Sequence, residues 1–188
     1  RGSVGYGRKY RDSLLGWWGV ADVADCVAGA EYLAAEGLVD ADRMAIRGSS
    51  AGGFTVLRSL ANSDVFRAGV SLFGVSDLAL MVADTHRFEA TYLDALVAPW
   101  PAGASVYEER SPMRQLDQIS APMLVFQGAA DTVVPMDQSR LLVAGLKDRG
   151  IPVEYHEFRN EGHGFKEPAT LRTVMETELA FYLRELGL

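Results

Sequence analysis

The sequence predicts an α/β chain, a mostly parallel sheet covered by helices on both faces, and three observations predict it. "RAGVSLFG" (67–74) and "APMLVFQG" (121–128) are continuous apolar runs of strand length, rich in Val, Leu and Phe and each closed by glycine. Strands that are apolar on both faces belong in a parallel sheet buried under helices. Segments with apolar residues three or four apart alternate with these runs, the order that an α/β architecture requires. The chain has 188 residues and is 48% hydrophobic, enough for one compact domain with a core and too short for two.

The elements follow in order. After the glycine-rich opening "RGSVGYG", Val20, Val23, Val27, Ala30 and Leu33 mark one face of a helix over 20–36, with Gly37 as its stop. "RMAIRG" reads as a short buried strand centred on 43–47, and helical spacing resumes over 51–62 through Leu57 and Leu60. The strands at 67–74 and 121–128 are separated by a less regular stretch, 75–120, in which Trp100 stands between Pro99 and Pro101. That stretch reads as an excursion from the sheet. Residues 137–149 form a helix ended by Gly150, "PVEYHEF" (152–158) alternates as a strand, and 169–186 closes the chain as a helix carrying Leu171, Val174, Leu179, Leu183 and Leu186. There is no internal repeat, low-complexity segment or linker.

Composition excludes several function classes. A formal net charge of −7, from 25 acidic and 18 basic residues without a basic cluster, is wrong for a nucleic-acid surface. Cys26 is the only cysteine, so neither an internal disulfide nor a thiolate metal cluster can form, and no metal or cofactor is expected. No apolar run reaches the length that spans a bilayer and no leader opens the chain, so the expectation is a soluble, cytoplasmic protein without a membrane partner. The first residue is Arg1, not methionine, which suggests a start inside something longer.

The chemistry begins at "IRGSSAGGF" (46–54). Gly48-Ser49-Ser50-Ala51-Gly52 fits G-x-S-x-G, the strand-to-helix turn that lifts a serine hydroxyl into solvent, although glycine-rich turns also join strands to helices for conformational reasons alone. A serine hydroxyl is a weak nucleophile and needs a base and a group that orients it. Of three histidines, His86 lies in the irregular stretch and His156 within an alternating strand, where a sheet-face role is expected. His163 sits between two glycines in "NEGHGF", just past a strand. Asp131 in "QGAADTVVP" follows the strand 121–128 at the carboxyl end of the sheet, where α/β sites assemble; as a turn or helix cap it would have a plainer role. Ser50, Asp131, His163 is the chain order of the α/β-hydrolase triad, each member just past a predicted strand.

"RGSVGYGRKYRD", "WWGVADVADCVAGAEYL", "RMAIRGSSAGG", "QGAADTVVP" and "NEGHGF", in that order over nearly the whole chain, resemble the catalytic domain of the prolyl oligopeptidase family, in its acylaminoacyl-peptidase and dipeptidyl-peptidase-like branch. The resemblance implies Ser50 as nucleophile, His163 as general base then acid, and Asp131 as the group that fixes the imidazole. It implies the Ala51 backbone N–H as one oxyanion donor, with a second supplied from a loop upstream of this chain. The chain would then be the C-terminal part of an α/β-hydrolase domain, with the N-terminal strands and β-propeller absent and acting as its partner, and a bare strand edge would favour homo-oligomers. Phe73, Phe88 and Tyr92, with Trp100, would line the acyl-side pocket, core packing being the alternative for Phe73 and a surface position for Trp100. Trp17 and Trp18 read as packing residues. Val133 stands two positions after Asp131, where several relatives carry Arg or Asn to hold the peptide; it would belong to the substrate pocket, but without that grip on the peptide backbone. The implied activity is hydrolysis of short peptides or release of amino-terminal residues. A carboxylic ester substrate, or an inactive fragment needing its N-terminal part, are the competing readings.

Overall fold

The computed structural model describes residues 1–84 and 90–188. Four parallel strands, β1 (Ala45–Ser49), β2 (Ala68–Leu72), β3 (Met123–Gly128) and β4 (Val153–Phe158), lie side by side in sequence order. Every residue of β2 and β3 is buried, as continuous apolar runs demand, whereas β1 and β4 are half-exposed edges of the described sheet. β1 runs two residues further toward Ser50 than the apolar run alone suggests, because the ladder to β2 continues through Gly48 and Ser49.

Helices α1 (Arg8–Asp12), α2 (Ala21–Ala35) and α3 (Ala51–Asn62) come first, and α4 (Leu78–Asp84), α5 (Ala90–Leu96) and α6 (Ala104–Arg110) fill the excursion between β2 and β3. α7 (Met136–Asp148) links β3 to β4, and α8 (Pro168–Glu185) ends the chain. Side-chain alternation along β3 sorts these helices into two layers. Met123 and Val125 join Val56, Leu57 and Leu60 of α3 and Leu142, Val143 and Leu146 of α7 on one face. Leu124 and Phe126, with Val70 and Leu72 of β2, meet Val174 and Phe181 of α8 on the other. A third cluster, with Trp18, Phe54, Val75, Leu78, Leu93, Tyr107 and Val134, is built mainly from the excursion.

Two expectations are corrected, and the inward face of α8 is defined. The excursion is not irregular: among the described residues it holds three short α-helices and two 3₁₀ turns, with Tyr107 a fully buried ring whose hydroxyl donates to the Ala98 carbonyl. On α8 it is Val174, Glu178 and Phe181 that face inward, while Leu171, Leu179 and Leu183 are exposed, because the helix lies on the sheet along one narrow seam only. Trp17 is 56% exposed and packs little, unlike the buried Trp18 beside it. No described helix is long and apolar enough to cross a membrane.

Candidate active site

β1 enters α3 through a turn so tight that a Cβ on Gly48 would collide with the Gly52 carbonyl. Between them Ser50 is held at φ 54°, ψ −121°, a left-handed backbone that L residues avoid and that costs on the order of 1–3 kcal/mol. Its N–H donates to the Leu72 carbonyl (2.9 Å) and its carbonyl accepts from Phe54 (3.1 Å), so neighbours on both sides hold the strained residue. Ser50 caps α3 without spending its hydroxyl on the helix. The first N–H groups of a helix lack intrahelical partners, so the Ala51 N–H stands beside the hydroxyl at the positive end of α3.

The Ser50 hydroxyl donates to His163 Nε2 at 2.8 Å, and His163 Nδ1–H donates to Asp131 Oδ2 at 2.9 Å. The carboxylate accepts only, which fixes the tautomer that leaves Nε2 as acceptor. Asp131 Oδ1 accepts the N–H groups of Val133 and Val134, both at 2.9 Å, so the turn after β3 locks the carboxylate. The loop after β4 carries His163 against the edge of the Phe73 ring, with centroids 4.8 Å apart. Three loops from the carboxyl ends of β1, β3 and β4 thus bring together the three residues singled out in the sequence.

Beside Ser50 and Ala51 opens a cavity of about 120 Å³, walled by Trp18, Val75, Met81, Tyr92, Leu93, Val133 and Val134. Apart from Ser50 the lining is apolar or aromatic. Tyr92 and Val133 line this cavity. Phe73, expected beside them, does not: it belongs to the cluster under α8, packed against His163 and Phe165, and supports the imidazole from behind. Trp100 lies against Tyr107 outside the cavity, and Phe88 and His86 fall outside the described residues. His156 takes the sheet-face role expected of it, with Nε2 2.7 Å from Glu154 and its ring over Phe126.

With this geometry in view, comparison with known proteins is specific. The sequence profile of the prolyl oligopeptidase family matches residues 1–188. The chain belongs to the prolyl oligopeptidase family. It is 31% identical to dipeptidyl aminopeptidase BIII of Pseudoxanthomonas mexicana, an alignment covering all of this chain and 28% of that protein. A puromycin-hydrolyzing peptidase of Mycobacterium tuberculosis superimposes with a TM-score of 0.98 at 46% identity, over 100% of this chain and 28% of the other. An acylaminoacyl peptidase of Pyrococcus horikoshii does so with a TM-score of 0.91 at 28% identity, over 99% and 31%. The fold is that of an α/β-hydrolase, and the chain spans less than a third of the length of these prolyl oligopeptidase relatives.

Several residues of the site escape sequence reasoning. Gln127, fully buried, donates its amide to Asp131 Oδ2 (3.3 Å), while the Ser139 hydroxyl donates to its Oε1 (2.7 Å). One signal was available, since a lone polar residue in an otherwise apolar central strand must find partners there. Glu161, 3% exposed, accepts the N–H groups of Lys166 (2.8 Å) and Glu167 (2.9 Å) and shapes the loop that holds His163. Burial pushes its carboxyl up, but those two N–H groups, the Thr170 hydroxyl and the Lys166 charge outweigh burial and hold it below the ordinary carboxylate range. Nothing local in "NEGHGF" marks that glutamate as buried.

Proposed function

We propose that this chain carries the catalytic machinery of a serine peptidase that cleaves short peptides or releases amino-terminal residues. One observation carries the proposal: an unbroken hydrogen-bonded line from Ser50 through His163 to Asp131, with the serine on a strained turn at a helix N-terminus. Ser50 Oγ attacks the scissile carbonyl carbon as its proton passes to His163 Nε2, and Asp131 stabilises the imidazolium that forms. The carbonyl oxygen takes up negative charge next to the Ala51 N–H, which serves as one oxyanion donor. Collapse of the tetrahedral species breaks the C–N bond, and His163 returns the proton to the departing amine. Water, deprotonated by His163, then releases the acyl group from Ser50. The apolar cavity receives the side chain on the acyl side. The relatives' names support amide substrates, since they are dipeptidyl, acylaminoacyl and puromycin-hydrolyzing peptidases.

The test is labelling of the full-length protein with an organophosphonate. Covalent adduct at Ser50, lost together with peptide turnover in Ser50→Ala, is the expected result; unchanged labelling of Ser50→Ala overturns the assignment. Turnover of nitrophenyl esters without any of peptides would transfer the same machinery to an esterase.

A further inference from the structure

Trp18 belongs to the loop "GWWG" (16–19), which contains neither helix nor strand yet forms a wall of the cavity beside Ser50. Two guanidiniums hold it. Arg110 Nη1 donates to the carbonyls of Gly16 (3.0 Å) and Trp18 (3.1 Å), and Arg58 Nε donates to that of Gly19 (3.2 Å). Arg58, 7% exposed, also donates to the Glu109 carbonyl and to the Gln115 side-chain oxygen. Among the described residues neither arginine forms a direct ion pair: buried Arg58 and half-buried Arg110 spend these N–H groups on carbonyls and one amide, with the Asp22 and Glu109 charges nearby. Taking a guanidinium out of water is expensive even with carboxylates near, and the carbonyls of this loop offset that cost. The same loop is fastened to α3: Asp22 accepts from the Gly19 N–H and the Thr55 hydroxyl, both at 2.6 Å, and Arg58 and Thr55 are α3 residues. Gly19, at φ +81°, has no room for a Cβ, which would stand 2.9 Å from the Phe54 ring on which Trp18 rests. Cavity wall and nucleophile thus ride on one helix.

We propose that Arg58 and Arg110 are positioning residues that set acyl-group selectivity by holding Trp18 against the cavity, so that the site favours an acyl chain ending in one six-membered ring over a small one. The proposal rests on the serine-hydrolase reading above. An apolar cavity of about 150 Å³ holds benzene, and about 120 Å³ open on one side suits a phenyl ring entering from Ser50. Arg58 spreads Nε and Nη1 over the Gly19 and Glu109 carbonyls and the Gln115 amide, a reach that a point-donor ammonium lacks.

The experiment measures kcat/KM of the full-length protein for nitrophenyl 3-phenylpropanoate and nitrophenyl acetate, whose acetyl group leaves most of the cavity unfilled. Arg110→Met is expected to lower the phenylpropanoate-to-acetate ratio about tenfold, mainly through KM, with Arg110→Lys intermediate. In a Trp18→Ala background, Arg110→Met should leave the ratio unchanged, because its effect passes through the ring. Equal losses on both esters, an unchanged ratio, or effects that simply multiply in the double variant overturn the proposal. If Arg110→Met does not fold, Arg110→Lys alone and in the Trp18→Ala background decides by the same ratio. A wild-type protein that turns over neither ester and takes no organophosphonate at Ser50 would overturn the hydrolase reading, and this proposal with it; labelling without turnover of the phenylpropanoate, or turnover of both esters with an unresponsive ratio, would sink only this one.

Discussion

Asp131 has the most fixed surroundings of any residue in the site. Its side chain is wholly buried, and its two oxygens accept from His163, Gln127, Val133 and Val134. An asparagine of the same shape must either turn its NH₂ toward the two backbone N–H groups or present it to His163 Nδ1, which then becomes the acceptor and leaves Nε2 protonated. The Ser50 hydroxyl loses its base in that tautomer. Asp131→Asn is therefore expected to keep its fold by circular dichroism and to lose about four orders of magnitude in kcat; near-normal turnover would place the orienting acid elsewhere. Gln127 makes a smaller prediction of a different kind. Gln127→Leu leaves the Ser139 hydroxyl and the Val134 carbonyl without their partner in a dry interior. Stranded buried polar groups cost about 1–3 kcal/mol, to be read as a lower urea midpoint at unchanged slope.

At the scale of elements, two connections make the site, and they were legible to different degrees. The β1–α3 turn announces itself, because only glycine tolerates the closeness at Gly48 and at Gly53, whose Cβ would lie 2.6 Å from the Gly74 Cα. Gly48→Ala must push β1 and α3 apart, so it is expected to lose organophosphonate labelling even where the protein still folds. The loop after β4 shows its histidine but not its clamp. Glu161 acts through backbone N–H groups five and six residues on, contacts that no side-chain pattern encodes. Its folded carboxyl is held below the ordinary range, so it contributes stability at neutral pH and loses that contribution as pH falls through the depressed value. Glu161→Gln is expected to cost about 1.5–3 kcal/mol at pH 7, the worth of hydrogen bonds to a charged group. The difference from wild type should shrink in acid; a gap constant down to acid pH would show that the charge is not what matters. The strands and α3 were readable because burial on both faces leaves a continuous apolar run. On α8 the spacing announces the helix, yet Leu171, Leu179 and Leu183 line its outer flank. Periodicity identifies an apolar stripe but not what lies against it, and the wall formed by Trp18 depends on α3 and α6, far away in sequence.

For the whole molecule, the surface sets the last prediction. Among the described residues β1 pairs only with β2, leaving one side of its backbone free, and an unpaired strand edge templates association. Leu171, Met175, Leu179 and Leu183 form an exposed apolar stripe along α8, and Val4 (79%), Tyr6 (76%) and Trp17 (56%) stand out from the opening segment. Against association stands a net charge of −7. The two effects respond oppositely to salt: charge repulsion fades as the Debye length drops from about 10 Å at 0.1 M to about 3 Å at 1 M, while apolar burial does not weaken. A polypeptide of residues 1–188 expressed alone is therefore expected to self-associate in sedimentation velocity, more strongly in high salt. Leu179→Lys with Leu183→Lys should shift it toward the 20.4 kDa monomer if the stripe carries part of the contact. Association that weakens as salt is raised would assign it instead to pairing between charged surfaces. A sharp 20.4 kDa species at every salt concentration would show that neither the strand edge nor the helix face is adhesive.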